Sequence, residues 1–162
     1  MLDLRAVSRQ ASGMNPMDIA LEEARAAAAR GEVPVGAVVT GVDGAVLARA
    51  GNEVEARRDP SAHAEMLALR AAASASGDKV LPGATLWVTL EPCAMCAAAI
   101  SFFRLRRVVF GAYDPKGGAV EHGPRFFAQP TCHHAPEVVG GMREREAGEL
   151  LRSFFGALRQ GD

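Results

Sequence analysis

The segment "ATLWVTLEPCAMCAAAISFF", residues 84–103, decides how the chain is read. Its first seven residues are almost all apolar, β-branched or aromatic, the composition of a buried strand. Pro92 fits the first turn of a helix, and the alanine-rich run behind it has the propensity to continue one through the two phenylalanines. "RRVVFGA", residues 106–112, then reads as another strand. A strand, a helix and a strand in that order imply parallel neighbours, because the helix carries the chain back to the edge it left. The same helix start places Cys93 and Cys96 three residues apart, on one side of its first turn.

Working outward, "NPMDIALEEARAAAARG" (15–31) predicts a helix. Asn15 can cap it, Pro16 suits the first turn, and Asp18, Glu22 and Glu23 suit the positive end of its dipole. Met17, Leu21, Ala24 and Ala28 give one apolar face, and Gly31 ends the helix. "VPVGAVVT" (33–40) and "AVLARA" (45–50) read as strands joined through "GVDG" into a hairpin. A loop, "GNEVEARRDPS" (51–61), leads into a helix expected from about Ser61 to Ser76, which Gly77 and "LPG" terminate. Residues 112–136, rich in Gly and Pro, read as a long loop with a short helix near "RFFAQ". "PEVVGG" offers a short strand, and "REREAGELLRSFFGALRQ" closes the chain as an amphipathic helix with Ala147, Leu150, Leu151, Phe154, Phe155 and Leu158 on one face. The expectation is one α/β domain over residues 15–160, a single mixed sheet with helices on both faces. Residues 1–14 are expected to be a poorly ordered extension.

At 162 residues the chain is long enough to bury a core without disulfides, and 49% hydrophobic with 23% charged residues is the balance of a globular protein. No apolar run reaches membrane-spanning length and no signal-peptide pattern is present, so the expected location is the cytoplasm, without a membrane partner. A net charge of −1 argues against broad, non-specific nucleic-acid binding. A local basic excess remains over residues 100–125, where Arg104, Arg106, Arg107, Lys116 and Arg125 face only Asp114 and Glu121. Three cysteines in a reducing compartment do not make a disulfide framework, so the "CAMC" pair needs another explanation.

That explanation pairs it with "HAE", residues 63–65. The free amides and dipole of a helix start favour thiolates, and thiolates are zinc ligands. His63 heads the other helix, so His63, Cys93 and Cys96 form a three-ligand set that leaves a fourth tetrahedral position open, the pattern of a catalytic zinc. A water there would have its pKa lowered to about 7. Glu65 could hydrogen-bond that water without ligating the metal and so shuttle its protons. Other readings stand beside this one. A lone Cys-x-x-Cys is often a redox pair or half of a closed structural zinc site, and a lone His at a helix start usually caps or packs. "TCHH" offers Cys132, His133 and His134 as candidates for a closing ligand.

Together the residues have the form H-x-E…P-C-x-x-C, the signature of zinc-dependent base deaminases. "EVPVGAVV", "GN" eleven residues before the histidine, "DPSAHAEMLALR", "LWVTLEPCAMC", "RVVFGAYDPKGGA" and the late "FF" resemble, in order and spacing, the TadA-type tRNA adenosine deaminases. The resemblance spans about residues 16–160. It implies a cytidine-deaminase-like three-layer α/β/α sandwich on a five-stranded mixed sheet. It also implies a homodimer that acts on the anticodon loop of tRNA, converting adenosine to inosine at the wobble position. One zinc per chain, with its water or hydroxide, would be held by His63, Cys93 and Cys96, and Glu65 would move the protons. Asn52 would hydrogen-bond the flipped base, Val33 would pack on it, and Leu90 and the Ala64 backbone would line its pocket. Asp114 and Lys116 would lie near the anticodon backbone, with Phe155 close to the substrate.

With the ligand set complete, Cys132, His133 and His134 become loop-packing residues. The chain departs from the family after "FF", where "GALRQGD" offers only Arg159 in place of several basic residues. Two rival functions follow: a deaminase of free nucleobases or nucleosides such as guanine or cytosine, which shares the motif, and a non-catalytic zinc-bearing RNA-binding subunit, which the presence of Glu65 disfavours.

Overall fold

Strand β1 (Gly36–Thr40) is buried at every residue and lies one place in from the edge of a five-stranded sheet ordered β2-β1-β3-β4-β5. A computed structural model describes residues 13–161. The N-terminal extension expected over residues 1–14 lies outside them except for Gly13 and Met14. The remaining strands are β2 (Val46–Gly51), β3 (Thr85–Leu90), β4 (Arg107–Ala112) and β5 (Glu137–Val139). β1 pairs antiparallel with β2 and with β3, whereas β3–β4 and β4–β5 are parallel. The hairpin and the strand–helix–strand reading together therefore give the mixed sheet the sequence predicts.

The helices are α1 (Pro16–Ala29), α2 (Val54–Arg57), α3 (Ala64–Ser76), α4 (Ala94–Phe102) and α5 (Glu144–Gln160), with a 3-10 turn at Phe126–Ala128. Alternation along the strands builds the two cores. Ala37, Val39, Leu86, Val88, Val108 and Phe110 face α3 and α4, which present Ala64, Ala68, Leu69, Ala97 and Ile100. On the other side Val38 and Val109 meet Met17, Ile19 and Ala20 of α1, and Ala112 meets Leu21 of α1 and Ala147 of α5. This is the three-layer α/β/α sandwich. Gly36 sets the spacing of one layer, since a Cβ there would overlap the Ala20 carbonyl oxygen of α1. Among the described residues no helix is long and apolar enough to cross a membrane.

Several boundaries move. The expected loop at 51–61 contains α2, whose own N-cap, Glu53, makes no capping bond. Its amides at Glu55 and Ala56 are instead taken by the remote carboxylate of Glu32, at 2.7 and 3.1 Å, a tertiary contact that local sequence does not display. Helix α3 starts at Ala64, three residues later than expected, because Asp59 folds Ser61 into a turn and His63 becomes the N-cap. Likewise Cys93, extended at ψ 175°, caps α4, and Pro92 stays outside the helix. The strand expected from Val33 pairs only from Gly36. Helix α1 buries Ala27 in its apolar face where Ala28 was expected.

Candidate metal and catalytic site

The two helix starts that define the site converge beyond the carboxyl end of β3. His63 caps α3, Cys93 caps α4 and Cys96 lies on the first turn of α4. His63 Nδ1 is 3.6 Å from Cys93 Sγ and 3.5 Å from Cys96 Sγ, and all three donor atoms lie within 4.8 Å of one another. Nitrogen at about 2.0–2.1 Å and sulfur at about 2.3 Å from a tetrahedral zinc are separated by about 3.6 Å. The donor set therefore already has the spacing a zinc ion requires, and three ligands leave one position open.

The charges agree with this. The Cys93 thiol is pulled down to about 4, first by its hydrogen bond with Cys96 and then by His63, against the effect of burial. Cys96, wholly buried, is pushed the opposite way by Cys93 and by burial, so the two sulfurs compete for one proton. His63 is pushed up by its hydrogen bond to Cys93. A divalent cation relieves this competition by satisfying both sulfurs and the imidazole at once. Glu65, on the first turn of α3 and only 4% exposed, has its carboxyl pushed up by burial.

His63, Glu65 and Cys93 open on a cavity of about 630 Å³ whose walls also include Val33, Asn52, Leu90, Asp114 and Phe155. Five of the seven residues expected to contact substrate are thus brought to the metal set. The other two stand apart from the lining. Ala64 is buried and its amide donates to Asn52 Oδ1 at 2.8 Å. Lys116 is exposed, with its amide donating to Asp114 Oδ1 at 3.2 Å. Cys132 and His134 belong to a different cluster: Ser101 Oγ and Cys132 Sγ both donate to the His134 carbonyl, and His134 Nε2 donates to the Leu105 carbonyl. Among the described residues the metal-competent group comprises His63, Cys93 and Cys96 without them, and His133 is exposed.

Sequence reasoning missed two carboxylates in the same wall, Glu32 and Glu91. Both are buried. Burial pushes the Glu91 carboxyl up, but hydrogen bonds from Asp114, His122, Glu121 and Val120 outweigh it and hold it below the usual range. The available signal was a carboxylate embedded in otherwise apolar sequence, "GEVPV" and "TLEPC". Phe154 and Leu158 also line the cavity, the latter 54% exposed at its rim. No Lys or Arg is among the described lining residues of the cavity.

The pattern of the cytidine and deoxycytidylate deaminase zinc-binding region matches residues 12–112, and the chain belongs to this family. Within it, the chain is 58% identical over 146 residues to a tRNA-specific adenosine deaminase from Agrobacterium fabrum, covering 90% of this chain and 95% of the relative. Among solved structures it is similar to one from work on A-to-I editing by tRNA:A34 deaminases at the wobble position of transfer RNA. That match has a TM-score of 0.82 at 59% identity, over 84% of this chain and 98% of the other. A guanine deaminase from Nitrosomonas europaea matches with a TM-score of 0.71 at 26% identity, over 87% of this chain and 83% of the other. The resemblance drawn from the motifs and the sandwich fold are both borne out.

Proposed function

We propose that the protein hydrolytically deaminates adenosine to inosine at the wobble position of a tRNA anticodon loop. The observation that carries the reading is the three-donor set of His63, Cys93 and Cys96 beside the buried Glu65, where His63, Glu65 and Cys93 line one cavity. The similarity to tRNA-specific adenosine deaminases along nearly the whole chain supplies the substrate. His63 Nδ1, Cys93 Sγ and Cys96 Sγ would hold one zinc per chain. When bound, the metal supplies an acidified water as nucleophile. Glu65, in its ionised form, would accept one proton from the attacking water and deliver it to the purine ring nitrogen as the new C6–O bond forms. It would then carry the second proton, from the new C6 hydroxyl, to the amine as the C6–N bond breaks, so that adenosine and water become inosine and ammonia.

Asn52 is oriented for its role, because the Ala64 amide occupies Oδ1 and leaves the side-chain NH2 for an acceptor on the base. Val33 and Leu90 pack against the ring, and Phe155 stacks at the mouth. Asp114 and Lys116 meet the anticodon backbone from the loop after β4. The protein works as a homodimer in the cytoplasm, as one domain over residues 15–160.

The likeness to a guanine deaminase, with only Arg159 after Phe155, favours a second reading in which a free base is the substrate. Incubating the protein with an anticodon stem-loop bearing adenosine at the wobble position, and in parallel with adenosine, cytidine, cytosine and guanine, separates the two. Inosine in the stem-loop is expected. Turnover of a free base with none on the stem-loop overturns the first reading in favour of the second.

A further inference from the structure

Glu91 belongs to neither the donor set nor the proton shuttle, yet its side chain is fully buried next to both. Its two oxygens accept five hydrogen bonds from the loop that follows β4. Oε1 takes the Asp114 amide at 3.0 Å and His122 Nδ1 at 2.8 Å. Oε2 takes the amides of Val120, Glu121 and His122 at 3.2, 3.0 and 3.1 Å. The backbone continues the clamp: the Glu91 amide donates to the Ala112 carbonyl, and the Ala119 amide donates to the Pro92 carbonyl. Gly118 lets the loop wrap this closely, since a Cβ there would collide with Glu91 Oε2 and the Asp114 carbonyl oxygen.

Only an ionised carboxylate, which accepts at both oxygens and donates from neither, can satisfy five converging donors. The loop it gathers supplies Asp114 and Gly117 to the cavity wall, and Asp114 in turn accepts the amides of Lys116 and Gly117. The chain that leaves Glu91 reaches Cys93 two residues later. One side chain thus ties the mouth of the cavity to the turn that carries a metal donor. Ordering that loop in advance spares the RNA the entropic cost of ordering it on binding.

We propose that Glu91 is a positioning residue that presets the 113–122 loop against the Cys93 turn, so that the wall receiving the anticodon loop exists before RNA arrives. The proposal rests on the tRNA reading given above. It is tested with Glu91→Gln, which keeps the shape but turns an acceptor into a donor, and with His122→Phe, which keeps a ring and removes one of the five donors. Both are made in the full chain loaded with zinc.

Amide hydrogen exchange in Glu91→Gln is expected to rise about tenfold or more at Asp114, Val120, Glu121 and His122, the scale set by losing hydrogen bonds to a charged group. Exchange at Glu55 and Ala56, bonded to Glu32 on the opposite wall, stays unchanged. Zinc content also stays unchanged. KM for the stem-loop rises about tenfold while kcat falls by less, the signature of lost binding preorganisation and not of lost chemistry. His122→Phe shifts the same readouts in the same direction by less, and it carries the test if Glu91→Gln does not fold. Unchanged exchange at the four amides overturns the proposal, as does a fall in kcat at constant KM or a loss of zinc that accounts for the defect. A wild-type protein inactive on the stem-loop overturns the tRNA reading instead, and the exchange measurement still judges Glu91.

Discussion

Asn52 shows how one side chain divides its work. Its Oδ1 accepts the Ala64 amide at the start of α3, which leaves its NH2 as the donor proposed for the base in the cavity that Asn52 lines with His63 and Glu65. The two halves can be separated by substitution. Asn52→Asp keeps the acceptor for Ala64 and is expected to leave the fold stable while raising KM for the stem-loop, since the base loses a donor. Asn52→Ala also orphans the buried Ala64 amide, a loss of about 1–3 kcal/mol, so its urea midpoint should fall below that of Asn52→Asp. Equal stability of the two variants contradicts the assigned hydrogen bond. Phe155 gives the complementary case. At 41% exposure it contributes little to the core, so Phe155→Ala should change stability by no more than about 0.5 kcal/mol and yet weaken stem-loop binding. A large drop in melting temperature with unchanged KM assigns it to packing.

At the scale of elements, periodicity and capping chemistry carried most of the reading, and it failed where distant side chains intervene. Helix α1 was legible because Asn15, Pro16 and Gly31 are local signals, and the Asn15 side chain indeed accepts the Met17 amide at 2.9 Å. Helix α2 was not legible, because its start is satisfied by Glu32, more than twenty residues earlier. The helix starts at His63 and Cys93 were placed too early, since metal donors at N-cap positions resemble ordinary first-turn residues in sequence. Helix α5 keeps its amphipathic stripe, but the stripe outruns the core, and Phe155 and Leu158 emerge at the cavity rim. Packing between layers also leaves its mark on a single residue of β1. Gly36→Ala pushes a methyl into the α1 backbone and is expected to cost about 1–3 kcal/mol or more, read as a lower urea midpoint without loss of zinc.

For the molecule as a whole, the donor set draws on two helices on one face of the sheet, so a metal bound there would be coupled to the fold. The three donors come from the N-termini of α3 and α4, which sit against the same apolar core. A ligand that binds only the folded state stabilises it in proportion to the logarithm of its concentration over its dissociation constant. Chelation should therefore lower the melting temperature, and zinc readdition should restore it. Replacing both Cys93 and Cys96 by alanine should abolish the response, and a chelator-insensitive melting curve contradicts a zinc held by this set. The architecture was legible from sequence because hairpin, crossover and paired motifs agree with one another. The scaffold of the cavity mouth was not, because Glu32 and Glu91 act through backbone amides whose positions only the folded chain defines. The measurement that bears most directly on the central claim is inosine formation at the wobble position of an anticodon stem-loop by Glu65→Ala, compared with wild type at equal zinc content. The expected result is full zinc occupancy with a rate lowered by at least about 10²-fold, the lower bound for losing a general acid–base group. A Glu65→Ala enzyme that forms inosine at close to the wild-type rate would contradict the account.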